Sequence, residues 1–175
     1  MDIFLFESLN KLTGLARGLD WLIIFLADYL LYFLLIFLVV WAVLWKDFKT
    51  IFLAFATAIF SRFLVTEIIR FFYNRPRPFE VLENVVKLTD HTTGSSFPSG
   101  HAAFIFGLAG FLFLHNRKIG LWFLAAAVLI GIARVAVGVH YPSDILGGLT
   151  VGLVSAWIVG VCTSILAKYK NKYDI

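Results

Sequence analysis

The sequence predicts an all-α fold, an integral-membrane helical bundle of five to six helices. Of its 175 residues, 61% are apolar and 17% are aromatic, and the mean hydropathy is +0.89. Soluble domains are only about half apolar, so this composition indicates a membrane protein. The apolar residues also fall into runs close to the ~20 residues that cross a bilayer. The chain has no repeats and no low-complexity linker, so residues 1–175 are expected to form one membrane-embedded domain.

The first element expected is an amphipathic helix over residues 1–20. Charged side chains such as Asp2, Glu7 and Arg17 are interspersed there with apolar ones such as Phe4. A helix with this pattern lies in the membrane interface rather than crossing the bilayer. A cleaved signal peptide is not expected, because no positively charged start precedes the apolar stretch.

Five apolar runs follow, and each is expected to form a transmembrane helix. They cover residues 21–45, 50–71, 102–114, 119–139 and 145–167. The third run is short for a span, so its helix is expected to include Ser99 and to reach His115.

The loop charges predict which side of the membrane each end of the bundle faces. With five spans, one side carries Lys46, Lys49, Arg117, Lys118, Lys168, Lys170 and Lys172. The opposite side carries Lys11, Arg17 and Lys87, together with Arg75 and the arginines of the polar motifs. The positive-inside rule therefore predicts a multi-pass protein of the cell membrane, with residues 74–97 as an extracytoplasmic loop over its polar end.

Three short polar patterns stand at the ends of the apolar runs. They read RFFYNRPRP from residue 70, PSGH from residue 98 and RVAVGVHYPSD from residue 134. They combine cations, a hydroxyl, imidazoles and a carboxylate, which are the groups that phosphoryl transfer needs. Its transition state spreads negative charge over oxygens that a protein must position and neutralise. Arg70, Arg77 and Arg134 can each present a planar fork of donors to a phosphate.

The remaining polar residues of these patterns suggest how a phosphoryl group would be held and attacked. Ser99 is expected to cap a helix and Gly100 to allow close backbone approach, so that helix N-terminal amides point at an anion. A metal-free route needs a nucleophile for phosphorus and an acid for the leaving oxygen, and His140 and His101 are the candidates. Asp144 follows His140 by four residues and can hold one ring nitrogen, which leaves the other free to attack.

The three patterns resemble the motifs of the type 2 phosphatidic acid phosphatase superfamily of membrane lipid phosphatases. Those motifs read Lys-x6-Arg-Pro, Pro-Ser-Gly-His and Ser-Arg-x5-His-x3-Asp. The second is complete in this chain, and all three occur in the right order. Arg70 stands where the first motif has lysine, which keeps the charge, and Ala133 stands where the third has serine, which removes one hydroxyl.

The resemblance implies a role for each motif residue. His140 would be the nucleophile that forms a phosphohistidine, Asp144 its partner, and His101 the acid that protonates the leaving group and then activates water. The phosphate would be bound by Arg70, Arg77, Ser99, Gly100 and Arg134. No metal and no cofactor are implied.

Within the superfamily, the chain most resembles bacterial undecaprenyl-diphosphate phosphatases. The resemblance rests on the short length, the helix before Leu19-Asp20, the Ala27-Asp28-Tyr29 element and the Arg-Pro-Arg-Pro-Phe run. It implies removal of the terminal phosphate of undecaprenyl diphosphate, which recycles the lipid carrier of cell-wall polymers such as peptidoglycan. The alternatives are a phosphatidylglycerolphosphate, phosphatidate or lipid A phosphatase, a non-catalytic lipid-binding or transport protein, and a vanadate-dependent haloperoxidase, although haloperoxidases are soluble.

Several charged residues outside the assigned roles have expected partners. Arg75 is expected to assist a diphosphate electrostatically. Glu67 lies within the second span, where charges normally face other helices, and it can pair with Arg62 or with Arg70. Asp28, in the first span, is expected to be a partnered structural carboxylate, and a role as a gate for the lipid is the alternative.

Other features limit the partners that the chain is expected to have. The net charge of +4 suits anionic lipid surfaces, but no separate basic domain suggests nucleic acid. The partners expected are therefore membrane lipid and an isoprenoid or glycerolipid phosphate substrate. Cys162 is the single cysteine, which excludes a disulfide within one chain. His91 and His115 are expected to be solvated bystanders.

Overall fold

The computed structural model describes residues 1–90 and 94–173, and within them the chain forms seven helices. These are α1 (Asp2–Asn10), α2 (Arg17–Trp45), α3 (Phe48–Phe72), α4 (Pro78–Val81), α5 (Gly100–His115), α6 (Arg117–Ala136) and α7 (Pro142–Tyr173). Four of them, α2, α3, α6 and α7, are long and apolar enough to cross a membrane, and α5 is a shorter apolar helix. The prediction of an all-α membrane bundle is confirmed. His91 lies outside the described residues, as do the side chains of Lys170 and Lys172.

Helix α5 forms the centre of the bundle and packs against α3, α6 and α7. Most of its side chains are buried. Its neighbours approach closely because several facing residues are glycines: a Cβ on Gly152 of α7 would lie 2.6 Å from the backbone nitrogen of Gly107. Gly100 lies against Arg62, ten residues before the end of α3. Helix α3 therefore continues well beyond the start of α5, and the N-terminus of α5 lies within the bundle.

Two of the long helices contain a π-helical turn, at Phe25–Tyr29 in α2 and at Phe60–Val65 in α3. Such turns widen a helix locally and often occur at functional sites. In α3 the hydroxyl of Thr66 donates to the carbonyl of Ser61 at 2.9 Å, across the π turn. The π turns carry Asp28 and Arg62, the two charged residues within these segments.

The boundaries of two predicted helices differ from the structure. The helix expected over residues 1–20 ends at Asn10, and residues 17–20 already belong to α2. The chain turns between them at Gly14, whose φ is +82° and whose N–H donates to Asp20 Oδ1 at 2.8 Å. The span expected to reach residue 139 ends at Ala136, because Gly138 adopts a φ of +88° that only glycine tolerates readily.

Helix α1 and the loop after α4 are both anchored to the end of α6 by Asn10. Its Nδ2 atom donates to the carbonyls of Val86 and Ala136, each at 2.8 Å, and its Oδ1 atom accepts from Val86 N at 3.0 Å. A fourth hydrogen bond, between backbone atoms, joins Leu88 N to the carbonyl of Val137 at 3.3 Å. These bonds fix the segment that leads from α6 to His140.

Candidate active site

The N-termini of α5 and α7 meet at one end of the bundle. Ser99 caps α5, since its hydroxyl oxygen accepts from Ala102 N at 3.5 Å, and Pro142 is the first residue of α7. Ser99 N also donates to the backbone carbonyl of Asp144 at 2.9 Å, which joins the two helix starts. Both helices thus direct the positive ends of their dipoles toward the same region.

His140 and Asp144 form a buried pair beside these helix starts. The Nδ1 atom of His140 lies 3.5 Å from Asp144 Oδ2, and both side chains are almost fully buried. The same carboxylate oxygen accepts from Tyr141 N at 2.8 Å and from the hydroxyl of Ser96. Ser96 Oγ lies 3.4 Å from His140 Nδ1 as well. The Nδ1 side of the ring is thereby held, and the other ring nitrogen, Nε2, is not part of these contacts.

Burial keeps the imidazole of His140 neutral. Desolvation is the largest cause that lowers its pKa from 6.5 to about 3, and the positive charges of Arg134 and Arg77 lower it further, although Asp144 acts in the opposite direction. At neutral pH the ring therefore carries a nitrogen lone pair instead of a second proton.

Arg75 lies on the far side of Asp144 from His140. Its Nη1 atom donates to Asp144 Oδ1 at 2.8 Å and its Nη2 atom to Asp2 Oδ2 at 2.8 Å, and its guanidinium carbon lies 4.0 Å from the centre of the Tyr141 ring. The sequence suggested a role beside a diphosphate, whereas in the structure the guanidinium binds two carboxylates. Arg75 thus fixes the orientation of the Asp144 carboxylate.

Asp2 connects helix α1 to this cluster. Its Oδ1 atom accepts from Ser143 N at 3.0 Å and its Oδ2 atom from the Ser143 hydroxyl at 2.6 Å, in addition to the bond from Arg75. Burial alone raises the pKa of Asp2, but the hydrogen bonds from Arg75 and Ser143 outweigh it and lower the pKa below its usual value. Burial alone lowers the pKa of Arg75, but Asp2 and Asp144 raise it. Both groups therefore stay charged at neutral pH.

Arg70 and Arg77 approach the site from α3 and from the start of α4. Arg70 Nη2 donates to the carbonyl of Pro98 at 3.0 Å, and Arg77 Nη1 donates to the carbonyl of Val139 at 3.1 Å. The Nε atoms of both arginines are buried and have no hydrogen-bond partner among the residues that the structure describes. Buried polar groups are normally paired, so these two donors indicate a place for an anion.

The arginines lie close enough to affect one another electrostatically. Burial and then the positive charge of Arg70 lower the pKa of Arg77. Arg134, on α6, is almost fully buried, and its Nη1 atom donates to Asp28 Oδ1 at 2.5 Å. Asp28 thus has a partner, as the sequence suggested, and that partner is an arginine. A bound phosphate would relieve the repulsion within this group of cations.

The other predicted residues lie at the edge of this cluster. Glu67 Oε1 accepts from Arg70 Nη1 at 3.1 Å and also from Arg62, so it contacts both of the arginines proposed as its partners. His101 is the second residue of α5 and lines a cavity together with Arg62 and Gly100.

Sequence reasoning missed two members of the site, Ser96 and Asp2. Ser96 belongs to an ordinary Ser-Ser pair two residues before Pro98, and its position directly ahead of a motif is the one signal that could have drawn attention to it. Asp2 lies 141 residues from Ser143 in the chain, and no local pattern links the two.

The comparisons with known proteins show which family the chain resembles. A family model described as the PAP2 superfamily matches residues 51–167. The chain belongs to the PAP2 superfamily. The matched residues include all three motifs and the whole of α5, and the resemblance stated from the motifs is confirmed. Asp2, Asn10 and Asp28 lie outside the matched region.

Individual PAP2 relatives are similar over most of the chain. The bacitracin transport permease protein BcrC of Bacillus licheniformis is 32% identical over 160 residues, which cover 91% of this chain and 79% of that protein. The undecaprenyl-diphosphatase BcrC of Bacillus subtilis (strain 168) is 30% identical over 160 residues, which cover 90% of this chain and 82% of that protein. The crystal structure of Aquifex aeolicus LpxE superposes with a TM-score of 0.72 at 29% identity, covering 90% of this chain and 93% of that one. The chain is a membrane lipid phosphatase of the PAP2 superfamily, as the sequence predicted.

The contacts of Asp2 predict that α1 supports catalysis from a distance. Asp2→Asn removes the charge that anchors Arg75, so we expect kcat for phosphate release to fall about tenfold with little change in KM. Asp2→Glu, which keeps the charge, should recover part of the loss, and Glu7→Gln, an exposed change on the same helix, should have no effect. Steady-state kinetics of the purified variants would measure this. Wild-type kcat in Asp2→Asn would contradict the prediction.

Proposed function

We propose that the chain removes the terminal phosphate of undecaprenyl diphosphate through a phosphohistidine at His140. The observation that carries this proposal is the buried, neutral imidazole of His140, held by Asp144 beside Arg70 and Arg77, whose buried Nε atoms have no hydrogen-bond partner among the described residues. In this proposal residues 1–175 act as one membrane-embedded domain, and the lipid monophosphate returns to use as the carrier of cell-wall polymers.

The first chemical step transfers the phosphoryl group to the protein. With Asp144 accepting from Nδ1–H, the lone pair of His140 Nε2 attacks the terminal phosphorus, and the bond from phosphorus to the bridging oxygen breaks. His101 donates its proton to that oxygen, so the leaving group departs as the lipid monophosphate. Asp144 stabilises the positive charge that the ring gains on phosphorylation.

The second step restores the free protein. His101, now neutral, accepts a proton from a water molecule as its oxygen attacks the phosphorus of the phosphohistidine. The N–P bond breaks, inorganic phosphate leaves, and His140 is again neutral. The phosphoryl oxygens are held through both steps by Arg70, Arg77, Arg134, the Ser99 hydroxyl and the backbone N–H of Gly100. These donors act as a preorganised set for the charge that develops on the equatorial oxygens.

The choice of a prenyl diphosphate as substrate is supported by the relative from Bacillus subtilis, whose name describes an undecaprenyl-diphosphatase. The relative from Bacillus licheniformis is named a transport permease, which corresponds to the alternative of a non-catalytic protein. The paired His140 and Asp144 favour hydrolysis, because a transport protein has no need of an oriented nucleophile.

We also propose that the site faces outward from the plasma membrane. Lys46 follows α2 and Arg117 begins α6, both at the end of the bundle opposite the site, and the positive-inside rule assigns that end to the cytoplasm. In a Cys162→Ala background, Glu83→Cys in the loop after α4 should then react with a membrane-impermeant maleimide in intact cells. Lys118→Cys should not react, and the reverse pattern would contradict the orientation.

The experiment that tests the function measures phosphate release by detergent-purified protein in the presence of EDTA. Undecaprenyl diphosphate, phosphatidylglycerolphosphate and phosphatidate are compared, with His140→Ala as the control. We expect His140-dependent release that is fastest from the prenyl diphosphate and insensitive to EDTA. Preference for a glycerolipid would overturn the substrate, restoration of a lost activity by magnesium would overturn the mechanism, and no His140-dependent release would favour the non-catalytic alternative.

A further inference from the structure

Arg62 lies beside the site but has no role in the mechanism above. It belongs to the π turn of α3, and its side chain occupies the space that a side chain on Gly100 would need: a Cβ there would lie 2.3 Å from Arg62 Nε. Glu67 binds its Nη1 atom, and its guanidinium lies 5.0 Å from the centre of the Phe63 ring. Arg62 is therefore held next to His101 by Glu67 and Phe63, and the absence of a side chain at Gly100 provides the space that Arg62 occupies.

Arg62 and His101 share a cavity of about 340 Å³ between α2, α3 and α5. Its other lining residues are Gly100 and the large apolar or aromatic side chains Leu31, Tyr32, Leu35, Phe63 and Phe104. Tyr32 and Phe63 are 59% and 62% exposed, so the cavity opens at the lipid-facing surface of the bundle. It combines an apolar wall with one arginine.

The chemistry of the reaction identifies what must enter this cavity. In-line displacement at phosphorus places the attacking nitrogen and the leaving oxygen on opposite sides, and His101 must reach the leaving oxygen. The leaving group therefore departs on the His101 side, where the cavity lies. For a lipid diphosphate, that group is a second phosphate attached to a hydrocarbon chain. A phosphate is bound by a cation and a hydrocarbon chain by apolar side chains, and the cavity contains both.

We propose that Arg62 binds the inner phosphate of a lipid diphosphate, and that the cavity takes the first part of its hydrocarbon chain. The inference rests on the proposed function and deepens it, because it makes this site selective for diphosphates over monophosphates. A guanidinium has five N–H donors, so Arg62 can bind a phosphate while Glu67 holds one of its nitrogens. Because Glu67 also binds Arg70, the carboxylate ties the subsite for the inner phosphate to the subsite for the terminal one.

The test compares two substrates that differ by one phosphate, farnesyl diphosphate and farnesyl monophosphate, with the purified full-length chain. Arg62→Gln should lower the ratio of kcat/KM for the diphosphate to that for the monophosphate by about tenfold or more, the effect of losing one charge-assisted contact. Arg62→Lys should retain an intermediate ratio. Arg117→Gln, the same change at an exposed arginine at the other end of the bundle, should leave the ratio unaltered.

The outcomes separate this inference from the proposed function. If the wild-type chain prefers the diphosphate, but Arg62→Gln and Arg62→Lys lower both activities equally, Arg62 only supports the fold and the inference is overturned while the function stands. If the wild-type chain does not hydrolyse the diphosphate, the proposed function fails before Arg62 is considered. A selective loss with the diphosphate in both variants, larger for glutamine, supports the inference.

Discussion

Replacing His140 with alanine is expected to lower kcat for phosphate release by about three orders of magnitude or more, because no other buried imidazole lies against Asp144 in the described structure to take over the attack. The wild-type protein, quenched during turnover of a substrate labelled in its terminal phosphate, should carry label in an acid-labile, base-stable bond, as expected of phosphohistidine. His140→Ala should carry none. The measurement is the amount of labelled protein after rapid quenching at several times.

The matched control for this experiment is His115→Ala. His115 is an exposed histidine at the opposite end of α5, so its loss should change neither kcat nor labelling. His101→Ala makes a further distinction: an acid that protonates the leaving group and activates water is needed after binding, so substrate affinity should persist while turnover falls. Labelled protein that persists in His140→Ala would show that another residue is the nucleophile.

Removing the positive charge of Arg134 is expected to have the second largest effect. Arg134→Gln takes away a buried guanidinium that we propose binds the phosphoryl oxygens, and it leaves Asp28 without this partner. We expect kcat/KM to fall by about two to three orders of magnitude. We also expect a loss of about 2 kcal/mol in the free energy of unfolding, less than for a fully buried pair, because Asp28 is partly exposed.

A double variant separates the two roles of Arg134. In Arg134→Gln with Asp28→Asn the unpaired carboxylate is gone, so thermal stability should return toward that of the wild type while activity stays low. Asp28→Asn alone keeps the cation and should retain activity within about tenfold. Melting temperatures and kcat/KM for the four proteins complete the cycle. Recovery of activity together with stability in the double variant would mean that Arg134 is structural only.

The sequence predicts the bundle and suggests most residues of the candidate site, because both depend on local patterns. An apolar run of sufficient length predicts a transmembrane helix without knowledge of the helices that pack against it. The three polar motifs lie where such runs end. Residues such as Arg70, Ser99 and His140 therefore had to lie at helix ends. In the structure, the ends that carry them are gathered at one end of the bundle.

The parts of the site that escaped prediction depend on contacts distant in sequence. Arg75 stands within a motif rich in arginine, which suggests phosphate binding, yet its guanidinium binds the carboxylates of Asp2 and Asp144. The π turns have no recognised sequence signature, and one of them sets the position of Arg62. Gly138 ends α6 through its positive φ. Asn10 fixes the loop after α4 against α6 through three hydrogen bonds of its side chain. The periodicity of the sequence reveals neither effect.

The bonds from Asp2 to Ser143 and Arg75 also bear on how the protein matures. During synthesis, Asp2 leaves the ribosome long before Ser143 and Asp144 exist, and all but the last of the long helices enter the membrane in between. The cluster around Asp144 can close only when the final helix arrives and its first turn meets the N-terminal segment. A fusion partner placed before α1 that holds this segment away from the bundle would then disturb the same carboxylate as a mutation near Asp144, although the two changes lie far apart in the chain.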